Sequence, residues 1–179
     1  MTEARIVTRT EGLLREFNEI GVLAPADVHV ARRLTALANE ADEAVALAVA
    51  LAVRGPRLGH VYVDLATIRA TATVDSDEPV DLSGLPWPDT DEWLAKVAAS
   101  PVLDGPLRLE GSSLYLDRYW REERQVAADL RALADADAPP VDEDKLSAGI
   151  AHRLSDPGQA LAAQTAVRRR FAVVAGGPG

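Results

Sequence analysis

Apolar residues recur at helical spacing through the first fifty positions and at strand spacing beyond them. Leu13, Phe17 and Ile20 stand at i, i+4 and i+7, which predicts a short amphipathic helix over 11–20. Gly21 follows and suits a left-handed cap. Pro25 is placed to start a second helix, with Val30, Leu34 and Leu37 on its apolar face and Arg32 and Arg33 away from it. The stretch 41–54 is apolar nearly all round, so it is expected at the centre, ended by Gly55-Pro56. Three helices on short connectors predict a compact bundle.

The periodicity then shortens. Residues 59–63 alternate and carry β-branched side chains, predicting a strand, and 65–70 a further short helix. Residues 73–89 are acidic and hold Pro79, Pro86 and Pro88, the composition of a loop. Trp87, between two of these prolines, reads as a buried anchor or an exposed contact, the anchor being preferred. Trp93, Leu94 and Val97 mark a helix over 91–99. Leu107-Arg-Leu109 and Leu114-Tyr-Leu116 flank Glu110-Gly-Ser-Ser113, the clearest hairpin signal in the chain. With the strand near Val61 it predicts a three-stranded sheet in a winged-helix-like arrangement. Tyr119, Val126, Leu130 and Leu133 line one face of a long helix. The acidic, proline-bearing stretch 135–144 then predicts a domain boundary, giving domains at 1–136 and 137–179.

Toward the C-terminus, Asp156-Pro157-Gly158-Gln159 opens a helical pattern through Ala160, Ala163, Ala166 and Val167, closed by Arg168-Arg169-Arg170. Phe171 to Ala175 is a continuous apolar run and reads as a strand buried on both faces. Gly176-Gly177-Pro178-Gly179 comes next. After a strand, such glycines let backbone N–H groups turn inward and cradle phosphates, as in the opening half of a phosphate loop; the tetrapeptide equally suits a plain turn. The Lys-Ser/Thr that completes that loop, with lysine on the outer phosphates and hydroxyl on Mg²⁺, is not in the chain. Gln159 stands where a helicase glutamine reads adenine, and it also fits a solvated helix position.

The stretch from Gln159 to Gly179 closely resembles the start of the motor domain in the RecD family, the alpha subunit of the RecBCD helicase–nuclease (exodeoxyribonuclease V). Two further blocks resemble that family in the same order: Gly59-His-Val-Tyr-Val-Asp-Leu65, and the residues from Leu107 to Arg124. The resemblance implies an N-terminal docking domain followed by the first helix and strand of a P-loop motor, in a mainly α (α+β) chain. It implies an ATP-driven 5′-to-3′ DNA helicase in double-strand break repair, with RecB-type and RecC-type partners, DNA bound through the motor, and ATP and Mg²⁺ as cofactors of the intact protein. Carried-over site residues are Gly176, Gly177, Pro178 and Gly179 for phosphate and Gln159 for adenine. Residues 1–179 alone are expected to be inactive and to bind no cofactor tightly. A non-catalytic interaction module and a stand-alone RecD-like helicase are the alternatives, the second disfavoured because no helix–hairpin–helix units precede the glycine loop.

Composition narrows the chemistry. A net charge of −9, from 19 basic and 28 acidic residues, argues against a broad grip on a nucleic-acid backbone. There is no cysteine, so disulfides and thiolate metal sites are excluded. His29, His60 and His152 lack partners at metal-ligand spacing, and no metal site is expected. Glu122-Glu123 beside Arg121 and Arg124 reads as solvated ion pairs, Asp142-Glu143-Asp144 as a helix start, and Ser112-Ser113 as a turn. The start lacks an apolar signal core and the longest apolar stretch is too short for a bilayer, which places the protein in the cytoplasm with no membrane partner.

Overall fold

A computed structural model describes residues 12–74 and 80–176. In chain order these form α1 (Leu13–Glu19), α2 (Pro25–Leu37), α3 (Glu43–Arg54), β1 (Tyr62–Asp64), α4 (Ile68–Thr71) and α5 (Thr90–Ala99). Then come β2 (Leu107–Glu110), β3 (Ser113–Leu116), α6 (Asp117–Asp135), α7 (Glu143–Arg153) and α8 (Pro157–Val167). The chain is mainly helical with one small antiparallel sheet, an α+β arrangement. It divides into two compact units, residues 1–123 and 124–179.

In the first unit α3 is the element the others cover. Its N-terminus is capped by Asp42, whose carboxylate accepts from the N–H groups of Ala44 (2.7 Å) and Val45 (3.2 Å). Leu47, Val49 and Leu51 are buried, and Ala48, Ala50 and Ala52 between them let neighbouring backbones approach closely. From α1, Leu14 and Phe17 reach this core, followed by Val22 and Leu23 beyond Gly21, which takes φ +90° and turns the chain back. From α5 come Trp93 and Val97, and the Trp93 indole N–H donates to the Ala44 carbonyl at 2.7 Å.

The sheet has the order β1-β3-β2, both pairs antiparallel. Val63 pairs with Leu114, and Leu114 with Leu109, so one row of apolar side chains crosses all three strands. Gly111, at φ +59°, makes the two-residue turn of the hairpin. Beside it, Trp120 at the start of α6 donates to Glu110 at 2.8 Å, and Asp117 lies 2.9 Å from Arg108 and 2.8 Å from Arg121. The Arg108 contact lies off the hydrogen-bond axis, so it compensates charge on Asp117 Oδ1 without an aligned bond.

Several expectations shift on inspection. The α2 face packed inward is centred on Asp27, Val28, Ala31 and Thr35, which are buried; of the expected face Leu34 meets the core in part, while Val30 and Leu37 are exposed. The reason is that α3 approaches from that side, and its polar members have local partners. Asp27 accepts from the Ala24 N–H and pairs with Arg57, while the Thr35 hydroxyl donates to the Ala31 carbonyl. Ile20, expected on the apolar face of α1, is exposed. The strand expected at 59–63 begins at Tyr62, because Gly59 takes φ +81° and closes a 3₁₀ turn. The helix expected over 65–70 starts only at Ile68, since Leu65 to Thr67 form a turn held by Asp64, whose carboxylate accepts from Ala66. Trp87 is a half-buried anchor: its ring meets Phe17 edge-on at 4.5 Å, and its N–H donates to Leu82.

In the second unit, Asp142 caps α7 by accepting from Lys145, and Asp156 caps α8 by accepting from Gln159. The apolar run Phe171 to Ala175 is not a strand, and Val173 and Val174 are exposed. A strand exists only through its neighbours, and among the described residues none pairs with this run.

Candidate functional site

The residues proposed for nucleotide contact fall in this second unit. Gln159 is the third residue of α8, where its backbone N–H is fixed by Asp156 at 2.8 Å and its side chain faces solvent. Gly176 is exposed, and a methyl group built on it would meet nothing within 4 Å. Packing therefore gives no reason for glycine there. Gly177, Pro178 and Gly179 lie outside the described residues. Among the described residues no strand stands behind Gly176.

Two of the three arginines have partners beyond the helix end, where Arg168 is the C-cap of α8. They follow α8 rather than fill its last turn. Arg168 makes a two-point contact with Glu143 at the start of α7, at 3.1 and 2.6 Å. That pairing holds the Glu143 carboxyl below its ordinary range and raises the Arg168 guanidinium. Arg170 donates to the Asp137 carbonyl at 2.8 Å. Two of the three thus hold the segment before the glycines against α7 and the stretch that precedes it.

In the first unit a cleft of about 440 Å³ opens beside the sheet, bordered by Arg54, His60, Tyr62, Asp64, Thr67 and Thr73. Arg54 is buried at the C-terminal turn of α3, and its guanidinium donates to the Thr73 carbonyl at 2.6 Å. Burial, then the like charge of Arg57, lowers its affinity for the proton, against the pull of Asp27. A cation at a helix C-terminus answers the unsatisfied carbonyls there, so Arg54 is explained by the fold. In the cleft the Asp64 carboxylate accepts from the side chains of Ser112 and Thr67, and these donors help hold it below its ordinary value. Among the described residues no three His, Asp or Glu side chains gather as metal ligands.

Charge pairs elsewhere serve structure. Glu40 accepts from Ser100 and from the Asp42 N–H, and these donors hold its carboxyl below the ordinary value. Burial pushes Asp42 up, but the N–H groups of Val45 and Ala44 together with Lys96 outweigh it, leaving the group below its ordinary value. Glu122 pairs with Arg118 and Asp117 with Arg121, each one helical turn apart. Burial, then the negative charges of Glu123 and Glu110, raises the Tyr115 phenol. None of these groups is poised for acid–base work.

What sequence reasoning placed in the core, and the fold places outside, is part of one face of α2. Val30 and Leu37 are 43% and 64% exposed, while Leu34 between them in sequence is half-buried and packs in part against the core. A helix whose apolar positions outrun one face is the available signal for such a surface: α2 buries Val28 and Ala31 and leaves Val30 and Leu37 to solvent.

Comparison with known proteins adds a family. The profile described as RecBCD enzyme subunit RecD, N-terminal domain, matches residues 19–115. RecBCD enzyme subunit RecD of Mycobacterium tuberculosis, in two strains, is 46% identical over 187 residues, covering 100% of this chain and 30% of its own length. The protein of the same name from Mycolicibacterium smegmatis is 49% identical over 172 residues, covering 93% of this chain and 28% of its own. The chain spans about 30% of the length of the curated relatives it matches. No helix among the described residues is long and apolar enough to cross a membrane.

Proposed function

The chain belongs to the RecD family, and from that premise we propose that its first unit docks the subunit onto partners of RecB and RecC type. The observation that carries this reading is the outer stripe of α2, where Val30 and Leu37 are exposed beside Leu34, which already packs in part against the core. Such a stripe gains from being covered by a partner's apolar surface, about 25 cal/mol for each Å² removed from water. The unit has no reactive cluster among its described residues, and the chain's net charge of −9 disfavours a phosphate backbone as the occupant.

In this reading the intact protein is an ATP-dependent 5′-to-3′ DNA helicase subunit of exodeoxyribonuclease V, acting on double-strand breaks. Gly176 to Gly179 open its phosphate loop, Gln159 lies near the adenine, and ATP with Mg²⁺ is taken up when the rest of the motor is present. The test is a charge placed on the stripe. Val30→Asp with Leu37→Asp in the full-length subunit is expected to reduce co-purification with the partner subunits at least tenfold. DNA-stimulated ATP hydrolysis and the melting midpoint should stay near wild type, since both positions are solvent-facing. Undiminished assembly by the doubly charged subunit refutes the docking assignment.

A further inference from the structure

We infer that the second half of α6 is an inner face of the domain following residue 179, and that the later part of the same chain covers it. The inference rests on the reading above, in which the chain continues into a motor. Val126, Leu130 and Leu133 stand at i, i+4 and i+7 on α6, and they are 55%, 38% and 45% exposed. Glu122 and Asp129 border the stripe on one side, and Arg124 and Arg131 fall toward the opposite face of the helix. This is the pattern of a helix that buries one face, yet nothing described here buries it.

The same is true of everything beyond it. The hydrophobic core runs from Leu14 to Leu114, and no described residue between 124 and 176 is fully buried. Leu161, Val167, Val173 and Val174 are exposed as well. A segment with apolar residues on several elements and no core of its own is part of a larger core. Two facts identify the occupant. The match to the family's N-terminal domain ends at residue 115 and the first compact unit at residue 123, so the stripe from Val126 lies beyond both. The curated relatives are about three times as long as the stretch matched, and a domain described as N-terminal leaves that further length to follow it. A partner subunit or a second copy would need to find a surface that the continuing chain meets at high effective concentration.

The experiment is hydrogen–deuterium exchange on the full-length protein, alone and with its partner subunits, reading residues 126–134 against those of α3. A solvated helix of this length is only marginally stable, so its amides exchange readily. In the full-length chain alone they are expected to exchange at least about a hundredfold more slowly than in a solvated helix. Leu130→Asp should remove that protection and Leu130→Met should keep it. Rapid exchange in the chain alone, with protection appearing only when partners are added, assigns the stripe to a partner and overturns the inference. Protection that grows with protein concentration assigns it to a second copy and does the same, as does rapid exchange under every condition. ATP binding measured on the same sample separates the two readings. Protected α6 without ATP binding sinks the motor reading and leaves this one standing; ATP binding with unprotected α6 does the reverse.

Discussion

Truncating α3 offers a direct measure of how much of the fold it carries. Leu47 and Leu51 are 0% and 1% exposed, yet they differ in their surroundings, because Leu51 borders the cleft beside the sheet. Leu→Ala removes three carbon groups, about 2.4 kcal/mol of transfer free energy at ~0.8 kcal/mol each. At Leu47 the gap is enclosed; a residual cavity of about 40 Å³ adds ~1 kcal/mol at ~24 cal/mol per Å³, for about 3.4 kcal/mol in all. At Leu51 the gap opens into the cleft, where water enters and the cavity contribution shrinks, leaving about 2.4 kcal/mol. For a domain of this size each kcal/mol moves the midpoint by roughly 4–8 °C, so Leu47→Ala should melt at least about 13 °C lower and Leu51→Ala about 10 °C lower. Tryptophan fluorescence is the assay of choice. The chain's three tryptophans, Trp87, Trp93 and Trp120, all lie within residues 1–123, so the signal reports that unit alone. An unchanged midpoint for Leu47→Ala, or a smaller loss than for Leu51→Ala, would refute α3 as the enclosed centre.

Other consequences are equally direct. Trp93→Phe keeps the ring in the core but loses the 2.7 Å bond to the Ala44 carbonyl, and chemical denaturation should show a loss of about 1–2 kcal/mol. Glu40 and Asp42 have carboxyls held below their ordinary values of 4.5 and 3.8, so the stability they contribute is complete above those values and lost as pH falls through the lowered ones. Melting followed downward from pH 6 should therefore decline from about pH 4.5; a midpoint flat to pH 3 would contradict this. Ser100→Ala removes the leading donor to Glu40 and should cost about 1 kcal/mol near pH 7, with the difference from wild type vanishing once Glu40 is protonated. Residues 1–179 should hydrolyse no ATP, since the glycine stretch lacks the lysine and hydroxyl that hold outer phosphates and Mg²⁺; turnover abolished by Gly177→Asp would overturn that.

Local order was legible wherever one stretch of chain decides its own conformation. The apolar stretch read over 41–54, the helix starts at Asp142-Glu143-Asp144 and Asp156-Pro157, and the hairpin about Glu110-Gly-Ser-Ser113 all rest on contacts within a few positions, and each is present as a helix, a helix start or a turn. The three-stranded sheet was legible too, because alternation and a tight turn leave few other pairings. The family was recognisable in the residues 59–65, 107–124 and 159–179, and the comparisons bear it out. What tertiary structure alone decided is which of two apolar faces a helix turns inward. On α2, Val30, Leu34 and Leu37 make as good a stripe as Val28, Ala31 and Thr35, and periodicity cannot rank them. The approach of α3 buries Val28, Ala31 and Thr35, takes Leu34 in part and leaves Val30 and Leu37 outside. The run Phe171 to Ala175 makes the same point from the other side: its composition suits a buried strand, but a strand is a property of paired segments, and no described neighbour pairs with it.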